Sequence, residues 1–128
     1  RADRVLKIGD FETLNVIDRP IILIRDNQNK INALANSCRH RGARLLNGNG
    51  SVKGIRCPFH SWLYRTDGTL AAAPRMEESE AFKECNNDLI KYCLAERSGF
   101  LFISFEVNPI SIDEWLGNFG QLQQSWPL

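Results

Sequence analysis

Residues 11–16 (Phe-Glu-Thr-Leu-Asn-Val) read with a period of two, as a half-buried strand does. Arg19-Pro20 interrupts that pattern, and residues 21–25 follow as a β-branched run. Asp26-Asn27-Gln28-Asn29 is turn chemistry, after which residues 31–35 resume as a strand. This opening third predicts a meander of hairpins. From residue 36 to 68 the texture changes. Gly42, Gly48, Gly50, Gly54, Gly68 and Pro58 punctuate the segment. It predicts short strands and loops held by something other than a hydrophobic face, for which a metal site is a good candidate. Strand texture returns at residues 90–95 and 100–105, on either side of the hairpin signal Arg97-Ser98-Gly99. Ser111-Ile112-Asp113-Glu114 has the form of a capping box. Ile112, Trp115, Leu116, Phe119 and Leu122 follow at helical spacing, so one terminal helix is expected, its apolar stripe packed on the sheets.

Composition narrows this all-β picture. With 128 residues the chain suits one domain spanning residues 1–128, and an apolar fraction of 43% supports a real core. A net charge of +1 gives no argument for nucleic acid or an anionic membrane as partner. No apolar run approaches the roughly 20 residues that span a bilayer. The chain opens Arg-Ala-Asp-Arg without an initiator Met, so a processed protein or an excised piece is expected. Four cysteines are too few for a disulfide scaffold, and two of them sit beside histidines, which points to metal and a reducing, cytoplasmic compartment. Cys85 and Cys93 are expected to be buried or idle thiols rather than a disulfide.

The chemistry concentrates in two short motifs, Cys38-Arg39-His40 and Cys57-Pro58-Phe59-His60, with 16 residues between His40 and Cys57. Each loop brings one thiolate and one imidazole, so two facing loops can clamp one bimetallic cluster. Thiolates are soft donors that suit sulfide-bridged iron. The motifs use both histidines of the chain. A structural zinc site has the same ligand inventory, but zinc fingers normally pair Cys with Cys and His with His, whereas here each loop is mixed.

Cys38-Arg39-His40-Arg41-Gly42, followed by Cys57-Pro58-Phe59-His60-Ser61-Trp62-Leu63-Tyr64, resembles the Rieske domain of Rieske non-haem iron oxygenases. More closely it resembles the α subunit of aromatic-ring-hydroxylating dioxygenases and their choline-monooxygenase-like relatives. Gly9-Asp10-Phe11, Asp67-Gly68-Thr69-Leu70, Pro74 and Gly99-Phe100-Leu101-Phe102-Ile103 extend the likeness over most of the chain. Ser61 departs mildly from the pattern, since Gly or Ala is commoner there. The resemblance implies an antiparallel β-sandwich of three sheets, with a two-loop cluster-binding subdomain at about residues 36–68 and a short C-terminal helix. It implies one [2Fe–2S] cluster on Cys38, His40, Cys57 and His60. Two ferric irons, two sulfides, two thiolates and two neutral imidazoles carry no net charge. That makes reduction easier than for an all-thiolate cluster, and Rieske potentials run from about −150 to +300 mV.

The extra loop cysteines of the respiratory Rieske type are absent, since Arg41-Gly42 and Phe59 occupy those places. The resemblance further implies one-electron transfer to a mononuclear iron held by two His and a carboxylate in a following catalytic domain. No His occurs after His60, so that site cannot be built from this sequence, and the chain alone is expected to be inactive as an oxygenase. A free-standing Rieske ferredoxin is the alternative. The expected partners are a reductase or ferredoxin donor and the catalytic domain of the parent mono- or dioxygenase. Arg41, Gly42, Pro58, Trp62 and Tyr64 are expected around the cluster. Trp62 and Tyr64 either shield it and donate a hydrogen bond toward a ligand sulfur, or simply fill the core. Arg39, Arg41, Arg44, Lys53, Arg56 and Arg65 lie in a stretch without Asp or Glu. Arg39, Arg41 and Arg44 either steer an acidic redox partner or are solvated side chains. Glu77, Glu78, Glu80 and Glu84 form an acidic patch on a solvated loop or short helix.

Overall fold

A computed structural model of the chain describes residues 1–76 and 78–119. Strand β1 (Asp10–Val16) pairs antiparallel with β2 (Arg19–Arg25), from Phe11 opposite Ile24 to Val16 opposite Arg19. The turn between them is Ile17-Asp18, both at positive φ (48° and 61°). That mirror-image geometry matches the twist of the strands, although a β-branched Ile rarely adopts it. The alternation of β1 ends at this turn, and Pro20 lies inside β2 opposite Asn15. It lacks an N–H, but its carbonyl accepts a hydrogen bond from Asn36 N at 2.9 Å.

Strand β3 (Ile31–Ala35) continues the meander, with Ile21 opposite Ala35 and Arg25 opposite Ile31. The intervening turn is organised by the buried Asp26 carboxylate. It accepts from Gln28 N, Lys30 N and Asn32 Nδ2 at 2.8–2.9 Å. Burial alone pushes this carboxyl upward, but these hydrogen bonds and nearby Lys91 prevail and hold it below the usual range.

All four residues 21–24 are buried, and they alternate between two cores. Ile21 and Leu23 meet Ala2, Val5, Ile31 and Ala33 on one face. Ile22 and Ile24 meet Leu34, Leu45, Ile55, Trp62 and Tyr64 on the other. Strand β4 (Asn49–Ser51) lies on the free edge of β1, and β8 (Lys91–Arg97) and β9 (Phe100–Ser104) lie beyond β3, so the large sheet has the order β4-β1-β2-β3-β8-β9. A small sheet comprises β5 (Ile55–Arg56), β6 (Leu63–Tyr64) and β7 (Leu70–Ala72). Strands β8 (Lys91–Arg97) and β9 (Phe100–Ser104) form a hairpin closed by Ser98-Gly99, both at positive φ. Ala33–Tyr92 and Leu34–Lys91 register that hairpin on β3, so it continues the large sheet through a short pairing, and the described strands form two sheets where three were expected.

Two features tie the small sheet to the large one. Gly68, at φ +92°, places its α-carbon where a Cβ would come within 2.8 Å of Leu34 Cδ2. Asp88 accepts from Leu70 N at 2.7 Å, and Leu89 N donates to Gly68 O at 2.9 Å.

Helix α1 (Glu80–Glu84) carries part of the acidic patch, and Glu77 lies outside the described residues. Helix α2 (Ile112–Leu116) starts at Ser111, whose side chain accepts from Glu114 N. It is shorter than the spacing suggested, ending at Gly117 with positive φ. Its stripe packs only in part: Ile112 and Leu116 are half-buried, whereas Trp115 is 65% exposed and Phe119 is exposed too. Leu122 lies outside the described residues.

Candidate metal centre

The first ligand loop leaves β3 and the second is the tip between β5 and β6. Both make the same turn. In the first, Cys38 N donates to Ala43 O and Gly42 N donates to Cys38 O, each at 2.8 Å. In the second, Cys57 N donates to Trp62 O at 2.8 Å and Ser61 N donates to Cys57 O at 3.2 Å. The residue four places after each cysteine has positive φ, Gly42 at 76° and Ser61 at 61°. The turns point both Cys-to-His segments at one another across a cavity of about 300 Å³. It is lined by Cys38, His40, Arg41, Gly42, Ala43, Cys57, Phe59 and His60.

All four donors expected from the sequence therefore face one space. Both cysteines are buried thiols. The His40 and His60 rings meet edge to face with centroids 4.7 Å apart. His40 Nδ1 is buried with no hydrogen-bond partner, an arrangement that costs about 1–3 kcal/mol unless something binds it. Burial first, then the charges of His60 and Arg41, hold His40 below the usual imidazole range. It is thus neutral near neutrality, the form that can donate a lone pair to a metal. A two-iron cluster asks for two protein donors per metal, and each loop brings one thiol and one imidazole to this cavity.

The surroundings sort the remaining residues. Tyr64 is fully buried, and its hydroxyl oxygen accepts from Arg39 N at 3.1 Å. Cys38 Sγ lies 3.4 Å from the same hydroxyl, and once that sulfur is a thiolate it can only accept, so the phenolic proton is its donor. Burial and the Cys38 hydrogen bond push the Tyr64 hydroxyl well above the ordinary phenol range, which keeps it a donor. Trp62, 2% exposed, is part of the core and also lies parallel to the His40 ring at 4.9 Å. Its Nε1 has no partner, so the hydrogen bond to sulfur comes from Tyr64 and not from Trp62.

Arg41 and Gly42 line the cavity, while Pro58 is exposed outside it. Arg39, Arg41 and Arg44 are exposed, and no ion pair among the described residues involves them. Cys85 and Cys93 are free and exposed, so of the two expectations, buried or idle, burial falls away.

Two contributors escaped the sequence reading. Phe59 stands 72% exposed at the mouth of the cavity. Asn36 is buried at the foot of the first loop, accepting from Leu45 N and Leu46 N at 3.0 Å and donating to Leu46 O at 2.8 Å. A polar residue closing an apolar strand beside a Cys-x-His is the only signal that could have flagged it.

Comparisons with known proteins agree with this geometry. The model of the Rieske [2Fe-2S] domain matches residues 2–92. The chain is 35% identical over 114 residues to the carnitine monooxygenase oxygenase subunit of Acinetobacter baumannii, covering 88% of this chain and 31% of that subunit. It is 35% identical over 115 residues to the anthranilate 1,2-dioxygenase large subunit of Acinetobacter baylyi, covering 86% and 24% respectively. A solved quaternary ammonium Rieske monooxygenase, described for carnitine oxidation by gut microbiota and inter-subunit electron transfer, superposes with a TM-score of 0.90. It is 31% identical over 96% of this chain and 34% of the other. The chain thus spans about a third or less of the relatives it matches.

Proposed function

The chain belongs to the Rieske [2Fe-2S] domain family and binds a [2Fe–2S] cluster, and from that premise we propose that Cys38, His40, Cys57 and His60 are the cluster's four ligands. The carrying observation is that two matched turns aim these four side chains into one cavity, with His40 Nδ1 buried and unpartnered. The cluster supplies a one-electron couple. The protein's part is to hold two neutral imidazoles on one side and two thiolates on the other. Tyr64 donates to one thiolate, and Trp62 excludes water from the face of His40.

We place the domain within an oxygenase component, delivering electrons to a mononuclear non-haem iron in a separate catalytic domain. Histidine occurs only at 40 and 60, so the catalytic iron has to come from other sequence, and residues 1–128 act as the Rieske unit with its cluster-binding subdomain at about 36–68. The same domain serves relatives named for carnitine and for anthranilate, so substrate choice resides outside it. The electron donor is a reductase or ferredoxin in the cytoplasm, and exposed Arg39, Arg41 and Arg44 favour an acidic one. None of the described helices is long and apolar enough to cross a membrane.

Metal and sulfide analysis of the purified protein tests the site. Two iron and two labile sulfide per chain are expected, with reversible one-electron reduction by dithionite and no oxygenase activity from the chain alone. One zinc per chain without sulfide would overturn the assignment.

A further inference from the structure

We propose that Phe82, on α1 and outside both ligand motifs, is a positioning residue that sets the orientation of the His40 ring through the indole of Trp62. The proposal rests on the reading of His40 as a cluster ligand. Three rings are in series. His40 and Trp62 are stacked at 4.9 Å with an interplanar angle of 10°. The Phe82 ring meets Trp62 edge to face at 5.5 Å and 79°. Edge-to-face contacts of this kind fix relative ring planes and contribute beyond the area they bury.

The decisive feature is a missing bond. A buried tryptophan is ordinarily oriented by a hydrogen bond from its indole N–H. Here Trp62 Nε1 is buried with no partner. The plane of the indole is therefore set by packing alone, in which His40 lies on its face, Phe82 meets it edge to face and the apolar core supplies the rest. His40 likewise has no protein partner at Nδ1, and its ring stacks on Trp62 and meets the edge of His60.

Phe82 itself is firmly held. Ser79 Oγ accepts from Phe82 N at 3.4 Å, and Phe82 O accepts from Asn87 Nδ2 at 3.0 Å and from Cys85 N at 3.3 Å. A short surface helix, some forty residues along the chain from His40, thus backs one ligand of the centre. Partners that orient a metal-bound histidine change affinity by about 10–100-fold when removed. Phe82 acts one ring further out, at the low end of that range.

The test uses the cluster-loaded protein and Phe82→Ala, Phe82→Leu and Phe82→Tyr. Iron and sulfide in the unsubstituted protein read the ligand assignment separately. Without a cluster there, the ligand reading fails before Phe82 is at issue. Phe82→Ala should release the cluster to a chelator about tenfold faster. It should change the spread of EPR g values of the reduced protein and raise the midpoint potential, since water reaching the loosened indole favours the more negative state. Phe82→Tyr keeps the ring edge and should restore all three readouts. Phe82→Leu keeps apolar bulk without a ring, so it reports on orientation if the alanine variant does not fold. In a Trp62→Leu background the Phe82 effect on g values and potential should vanish. Unchanged g values and potential in both Phe82→Ala and Phe82→Leu, whatever their melting temperatures, would show that Phe82 merely fills space.

Discussion

In the first ligand loop the closing hydrogen bonds run Cys38–Ala43 and Gly42–Cys38, and in the second Cys57–Trp62 and Ser61–Cys57. The turn is the same but its support is not. The second loop is the tip of a hairpin, closed behind by Ile55–Tyr64 and Arg56–Leu63 pairing. The first leaves β3 and returns toward β4 with no strand pairing of its own at its base, and Asn36 does that work with three side-chain hydrogen bonds. The left-handed position is taken by Gly42 in one loop and by Ser61 in the other, so the hairpin-supported loop tolerates a strained residue and the side-chain-supported loop has none. Tyr64 joins the two, rising from β6 to meet Cys38 Sγ and Arg39 N of the opposite loop.

The largest expected effect breaks both loops together. His60→Ala should drop iron from two per chain toward none, because each ligand bond holds one loop against the other. Visible absorption and iron analysis check it, and a variant retaining a full cluster would remove His60 from the ligand set. Next comes the side-chain clamp. Asn36→Ala leaves the Leu45 and Leu46 N–H groups without their acceptor. It should cost about 2–6 kcal/mol in urea unfolding, at about 1–3 kcal/mol for each of the two groups left unsatisfied. Weakening the strand-paired loop at an exposed position such as Arg56, which also donates to Ser61 O, should cost much less.

How much of this was legible follows from distance along the chain. The four residues proposed as ligands lie in two local motifs, so residue identity and spacing single them out. The hairpins at 26–30 and 97–100 carry turn residues that announce themselves. The turn at Ile17-Asp18 does not, because a β-branched residue at positive φ contradicts local preference and is held there by the Phe11–Val16 pairing on either side. Asn36 acts on residues 9 and 10 positions away and Phe82 on one 20 positions away, so little beyond the polar end of an apolar strand marks the first and nothing local marks the second. The glycines of the loop segment hid an apolar contribution, since Leu45, Ile55, Trp62 and Tyr64 join Ile22, Ile24 and Leu34 in one core. The α2 stripe misled because spacing reports a helix's face and not what covers it.

The link between the loops offers a finer break. Tyr64→Phe removes the donor to Cys38 Sγ and leaves Arg39 N without its acceptor. Hydrogen bonds to sulfur stabilise the reduced cluster, so the midpoint potential should fall. A differential of about 1.4 kcal/mol corresponds to about 59 mV for a one-electron couple. Protein-film voltammetry reads it, and an unchanged potential would mean that the phenol only packs. Smaller again is the effect of the exposed arginines. Arg44→Glu should slow reduction by an acidic ferredoxin several-fold at low salt. The difference should close as ionic strength rises and the Debye length falls to about 8 Å. Stopped-flow rates indifferent to both salt and charge would leave these arginines as solvated side chains.

The smallest effect bears most directly on why the loops differ. Ser61 sits at φ 61°, where its Cβ crowds the following carbonyl at a cost of roughly 1–2 kcal/mol relative to an ordinary conformation. Glycine pays none of that strain but loses more chain entropy on folding, by roughly 0.5–1 kcal/mol. Ser61→Gly should therefore stabilise the protein by about 0 to 1.5 kcal/mol, seen as a small rise in urea midpoint at constant slope. The reverse change in the other loop, Gly42→Ser, meets the same strain at φ 76°. A Cβ there would lie 3.6 Å from Ser37 Oγ, an ordinary contact, so crowding adds little to it. If hairpin support is what lets the second loop carry strain, Gly42→Ser should also speed cluster loss to a chelator, whereas Ser61→Gly should leave that rate nearly unchanged. Equal and opposite effects on cluster retention would show the two loops to be equally rigid, and the difference in their support to be without consequence for the centre.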